Sequence, residues 1–114
     1  MLRSFQFAFK GLRLLIIEEP NARFHLLAAG ATIALGFLLK IETMEWVAIL
    51  LCIGLVIAME LINTSIENLS DFIAPKRDEK IGKIKDLAAA AVLVCAIIAV
   101  ITGCIIFLPK LFFV

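Results

Sequence analysis

The run Leu87–Leu108, LAAAAVLVCAIIAVITGCIIFL, holds 22 residues without a charge. At 1.5 Å per residue it forms a helix about 33 Å long, enough to cross the roughly 30 Å hydrocarbon of a bilayer. A stretch this long and apolar on every side predicts a transmembrane helix. The rest of the chain agrees: 63% of its 114 residues are hydrophobic and 18% charged, with a mean hydropathy of +1.09. An ordinary soluble domain is roughly 45–50% apolar. The length allows one domain, and the clustering of apolar residues into uncharged blocks argues against a soluble enzyme.

Two further spans lie upstream. Phe24 to Leu39 carries no fixed charge and reaches about 24 Å, which flanking side chains extend by snorkelling. The second block starts at Trp46 and is apolar to Met59, then acquires Glu60, Asn63, Thr64 and Glu67 without losing helical character. Spans are expected at 22–40, 46–73 and 86–108. Pro20 breaks the chain before the first, Pro75 closes the second and Pro109 is expected to follow the third. Residues 1–19 differ: Arg3, Gln6, Lys10 and Arg13 recur at helical spacing against Phe5, Phe9, Leu12, Leu15 and Ile16, the pattern of an amphipathic helix lying in the membrane interface. Phe7 falls near the polar stripe. A signal peptide fits less well, because Lys10 and Arg13 interrupt any apolar core and no small-residue cleavage site follows. The fold class is therefore all-α integral membrane, an interfacial helix plus three transmembrane helices in a single domain, 1–114.

Net charge is +1, so no global field favours nucleic acid. Cys52, Cys95 and Cys104 lie within apolar blocks, without metal-binding spacing, and read as packing or lipid-facing residues. Locally the basic residues are lopsided. Arg3, Lys10, Arg13, Arg23, Lys76, Arg77, Lys80, Lys83 and Lys85 flank one side of the spans, and Lys40 and Lys110 the other. That bias places the N-terminus and the second loop in the cytoplasm, in a multi-pass protein of the cytoplasmic membrane. The loop's basic residues taken alone would do no more than fix topology or touch anionic headgroups.

The chemistry concentrates in Glu60–Asp71, ELINTSIENLSD. At about 100° per residue, Glu60, Asn63, Thr64, Glu67 and Asp71 fall within about 100° of arc, with Leu61, Ile62, Ile66, Leu69, Phe72 and Ile73 opposite. An acid inside a span costs at least about 2.5–3.5 kcal/mol on insertion scales. One such Glu could be helix-packing glue; two acids aligned with an Asn and a Thr, running toward a basic loop, suit a hard divalent cation and a polyphosphate. Asp71 lies one turn beyond Glu67, and Lys85 with Asp86 is expected to open the third helix on the same side. Glu18 and Glu19 sit at that boundary too, and spacing alone does not choose between them. The scattered glycines form no phosphate-binding loop and no soluble kinase signature.

These blocks resemble the small prokaryotic diacylglycerol kinase and undecaprenol kinase family. The resemblance rests on KGLR at Lys10–Arg13, EPNARFH at Glu19–His25, the Glu60–Asp71 block and KDLAAAAV at Lys85–Val92, in family order and spacing. It implies a homotrimer with active sites shared between subunits, transferring the γ-phosphoryl of MgATP to a lipid hydroxyl and giving phosphatidic acid or undecaprenyl phosphate. By motif position it implies Glu60 as general base and Glu19 and Glu67 as Mg²⁺ ligands. The nucleotide would be contacted by those two acids, Asp71, Lys76, Arg77, Lys85 and Asp86. Asn63, Arg13, Asn21 and Arg23 would support the site or the substrate. NARFH after the first acid is closer to the undecaprenol-using branch. Phe7 and Ala89 replace a tyrosine and a serine of some members, and the loop APKRDEKIG keeps only the family's length. The small runs Ala28–Ala31 and Ala88–Ala91 offer surfaces for close packing of helices between subunits. Two other classes compete: a proton-coupled transporter using Glu60, and a membrane protein without catalysis.

Overall fold

The computed structural model describes residues 1–113 and is all-helical there: α1 (Leu2–Glu18), α2 (Pro20–Leu38), α3 (Thr43–Ile73) and α4 (Glu79–Phe112). The last three are long and apolar enough to cross a membrane. The molecule is a slab of 54 × 37 × 20 Å. Its main helix pair is α3 with α4, and α1 and α2 pack on α3.

Each break has a local cause. Glu19 is extended (φ −114°, ψ 106°) and Pro20 occupies the first turn of α2, where its missing N–H costs nothing. Helix α2 ends in a Schellman turn: Lys40 takes φ 52°, the Lys40 N–H reaches the Phe37 carbonyl, and the Ile41 N–H reaches that of Gly36. Glu42 and Glu45 form a reciprocal capping box that starts α3. Ala74 ends it outside the helical region (φ −132°, ψ 83°), in keeping with the bias of a residue before proline against helical backbone. Asp78 caps α4 through the Lys80 and Ile81 amides.

Helix α4 departs from expectation at both ends. It begins at Glu79, so Lys85 and Asp86 lie inside the helix and do not open it. The Asp78 cap and Glu79 in the first turn favour the earlier start. Pro109 lies within the helix instead of following it. The lost N–H falls in the final turn, and the Pro109 carbonyl still accepts the Phe113 amide.

A buried apolar cluster sits at the α2–α3 turn: Ile41, Ile49, Ile106 and Phe107, with Leu35, Leu39, Trp46, Ala48 and Ile53 packed on it. The same end is tied by Lys110 Nζ to Glu45 Oε1 at 3.1 Å. The three cysteines are free thiols. Gly36 permits the α2–α3 approach, because a Cβ there would lie 2.7 Å from the Trp46 ring, itself packed against Phe37 at a centroid distance of 4.8 Å. A Cβ on Gly30 would meet nothing within 4 Å.

Gly36→Ala should therefore lower stability by about 1–3 kcal/mol. Gly30→Ala should leave the α2–α3 packing within the chain undisturbed. Thermal unfolding in detergent checks both, and emission from Trp46, the single tryptophan, should shift only in the Gly36 variant.

Candidate active site

On α3, Ile49, Ile53, Val56, Glu60, Asn63, Glu67 and Ser70 recur at three- and four-residue spacing, and all are buried or half-buried. The apolar seam that packs the lower half of the helix thus continues upward as a polar one. Opposite it, Ile62, Leu69, Phe72 and Ile73 are exposed. Glu60 is the most enclosed of the acids, with 3% of its surface exposed. Its Oε1 lies 3.3 Å from His25 Nε2 on α2. One turn on, Asn63 Nδ2 donates to Glu67 Oε1 at 3.1 Å. The Asn63 Oδ1 and Thr64 Oγ1 atoms are buried without a hydrogen-bond partner among the described residues, a state that ordinarily costs about 1–3 kcal/mol per group.

Glu19, held at the extended junction between α1 and α2, brings its carboxyl within hydrogen-bonding reach of Glu67. Burial, then the Glu67 charge and hydrogen bond, then Glu60 and Glu18, raise the Glu19 carboxyl above the ordinary carboxylate range. Glu18 points elsewhere, accepting from Asn68 Nδ2 at 3.2 Å. Three turns beyond Glu60, Lys85 Nζ meets Asp71 Oδ1 at 2.6 Å and joins α4 to the end of α3.

The structure thus brings Glu19, Glu60, Asn63 and Glu67 into one cluster, with the Asp71–Lys85 pair at its outer end. Arg13, Asn21, Arg23, Lys76, Arg77 and Asp86 are exposed, and among the described residues they make no side-chain hydrogen bond or ion pair. Sequence reasoning missed two contacts. His25 is the only histidine in the chain and lies within an otherwise uncharged run. That position was the available signal, since a polar ring within a span needs a partner. Asn68 lies beside Glu67 in the same block, but its partner is fifty residues away in sequence.

Among the described residues, no three His, Cys, Asp or Glu side chains converge tightly enough to enclose a metal. Two neighbouring carboxylates and an unpartnered amide oxygen are nevertheless an all-oxygen donor set. That suits Mg²⁺, which takes one or two carboxylates and fills its octahedron with water and phosphate oxygens.

Beside the acids an apolar cleft of about 370 Å³ runs between α2, α3 and α4. Its walls include Thr32, Ile53, Val56, Ala99 and Phe107, and His25 is also part of the lining. The cleft thus meets the acidic cluster through the imidazole that contacts Glu60.

Comparison with known proteins accounts for this combination of spans and acids. The family profile described as prokaryotic diacylglycerol kinase matches residues 6–107. The chain belongs to that family. It is 42% identical over 109 residues to undecaprenol kinase of Bacillus subtilis, covering 96% of this chain and 89% of that one. It is 36% identical over 112 residues to diacylglycerol kinase of Synechocystis, covering 97% of this chain but 64% of the relative. Against diacylglycerol kinase of Escherichia coli K12 the identity is 31% over 105 residues, covering 92% and 86%. The protein is a member of a lipid kinase family with three helices able to span a membrane.

A raised carboxyl pKa means that ionising Glu19 opposes folding. The cost is full above the folded-state pKa and is relieved as pH falls through it. A divalent cation relieves the same cost at higher pH. Mg²⁺ should therefore raise the unfolding temperature, with a gain that shrinks as pH falls through the raised Glu19 pKa. Glu19→Gln should remove most of the gain and Glu18→Gln should keep it. Loss on changing Glu18 alone would transfer the ligand role to Glu18.

Proposed function

We propose that the protein transfers the γ-phosphoryl group of ATP to the hydroxyl of a membrane lipid, with undecaprenol the favoured acceptor over diacylglycerol. The observation that carries this reading is the enclosed Glu60 carboxylate, one turn from the Asn63–Glu67 pair that faces Glu19. In the reaction the lipid oxygen bonds to the γ-phosphorus as the bond to ADP breaks. Glu60 takes the hydroxyl proton as general base.

Glu19 and Glu67 would hold Mg²⁺, which when bound offsets charge on the polyphosphate. Asn63 fixes the Glu67 carboxylate. Lys85, aimed by Asp71, supplies positive charge at the outer end, where Asp86, Lys76 and Arg77 complete the nucleotide side. Arg13, Asn21 and Arg23 would support the site or the lipid substrate. The apolar cleft suits a hydrocarbon chain. The preference for undecaprenol rests on the higher identity to the undecaprenol kinase relative and on the NARFH segment.

The active site and N-terminus face the cytoplasm in this reading. In support, the Glu18–Asn68 contact and the Asp71–Lys85 pair bring the end of α1, the end of α3 and the start of α4 together, while Lys110 is engaged by Glu45 near the start of α3. Helix α1, with Phe5, Phe7 and Phe9 exposed, lies in the interface. The chain assembles as a homotrimer that encloses the acids from lipid. A proton-coupled transporter would also use an intramembrane Glu60, but it leaves the Asp71–Lys85 pair and the Glu19–Glu67 approach without a role.

Purified protein in mixed micelles, offered MgATP with each lipid separately, tests the reading. Undecaprenol should be phosphorylated faster than diacylglycerol, and Glu60→Gln should lose about 10²–10⁴ in rate. No transfer to either lipid by folded protein would overturn the kinase reading. Cross-linking in mild detergent should give a three-chain species; monomers alone would overturn the trimer.

A further inference from the structure

We propose that His25 is a positioning residue for Glu60: its imidazole orients the reacting carboxylate at the point where the apolar cleft meets the acidic cluster. This assignment rests on the lipid kinase reading and adds a residue to it. The contact joins α2 to α3 across 3.3 Å, from His25 Nε2 to Glu60 Oε1. Both ends are restrained. Glu60 is nearly inaccessible, and the His25 ring packs edge-on against Phe24 at 5.9 Å with an interplanar angle of 71°. Among the described residues His25 is the one side chain within ion-pair distance of Glu60.

Electrostatics selects the proton arrangement. With Glu60 ionised, as a general base must be, an imidazole nitrogen carrying a lone pair would repel the carboxylate oxygen at this distance, which favours the form with Nε2 protonated. That contact engages one carboxylate oxygen and leaves the other for an incoming hydroxyl. His25 also lines the cleft, so an acceptor chain lying in it would present its hydroxyl beside the oriented pair. The metal-side acids of the same cluster have direct partners other than His25: Glu67 is held by Asn63 and approached by Glu19. Removing His25 should therefore disturb proton acceptance and leave nucleotide binding intact.

The test uses the full chain in mixed micelles, comparing His25→Phe, which keeps a ring but no donor, with His25→Gln, which keeps an N–H donor. His25→Phe should lower kcat by about 100-fold, the scale of a small misplacement of a reacting group, with KM for MgATP unchanged. His25→Gln should recover at least tenfold of that loss. A folded His25→Phe protein within twofold of the parent kcat, or a His25→Gln protein as impaired as His25→Phe, would overturn the proposal.

A second measurement is independent of turnover. Because the chain has one histidine, ¹⁵N-histidine labelling gives one imidazole, whose nitrogen shifts report the tautomer directly. The Nε2–H form should dominate in the parent and the shifts should change in Glu60→Gln. Unchanged shifts would overturn the pairing, and this comparison decides the matter if His25→Phe does not fold. Absence of lipid phosphorylation by the parent protein would overturn the kinase reading and the positioning role with it, while the shifts would still report whether the pair exists.

Discussion

A carboxylate within an apolar span must be enclosed or partnered, and the placement of Glu60 follows from that constraint. In hydrocarbon it would cost several kcal/mol; here it lies on the one face of α3 that packs against other helices. Because α3 keeps three- and four-residue spacing from Ile49 to Ser70, the groove that receives apolar side chains at one end receives polar ones at the other. The polar cluster is thus held in place by the helix packing that buries the core.

This arrangement separates stability from chemistry along a single helix. At the α2–α3 turn, the Ile41, Ile49, Ile106 and Phe107 cluster and the Gly36–Trp46 approach fix the helices at close range. At the far end, polar contacts take over: Glu18 with Asn68, Asp71 with Lys85, His25 with Glu60. Exposed ion pairs contribute little by themselves. Their value here is in aiming side chains, since the Asp71 carboxylate holds the Lys85 ammonium at the mouth of the cluster.

The approach of Glu19 to Glu67 is an unfavourable feature retained at a site where cation binding would relieve it. Burial and like charge both raise the Glu19 carboxyl, and Asn63 Oδ1 and Thr64 Oγ1 lack hydrogen-bond partners among the described residues. Local frustration of this kind is typical of functional sites. The extended Glu19–Pro20 junction makes the approach possible, because a helix continuing through residue 19 would carry this side chain along the face set by α1.

Much of this was legible in the sequence. Uncharged length marks the spans, proline positions mark two of the breaks, and helical periodicity aligns Glu60, Asn63, Thr64 and Glu67, because all three depend on residues near one another in the chain. Pro109 and the start of α4 were not, since a final helical turn tolerates a missing N–H and the Asp78 cap outweighed the position of the apolar run. Contacts between distant segments belong to the tertiary structure alone. That Glu19 and not Glu18 faces Glu67, that Asn68 reaches back to Glu18, and that His25 meets Glu60 depend on how α1 and α2 are rotated against α3. Periodicity determines which residues share a face; only the packing of one helix on another decides what that face meets.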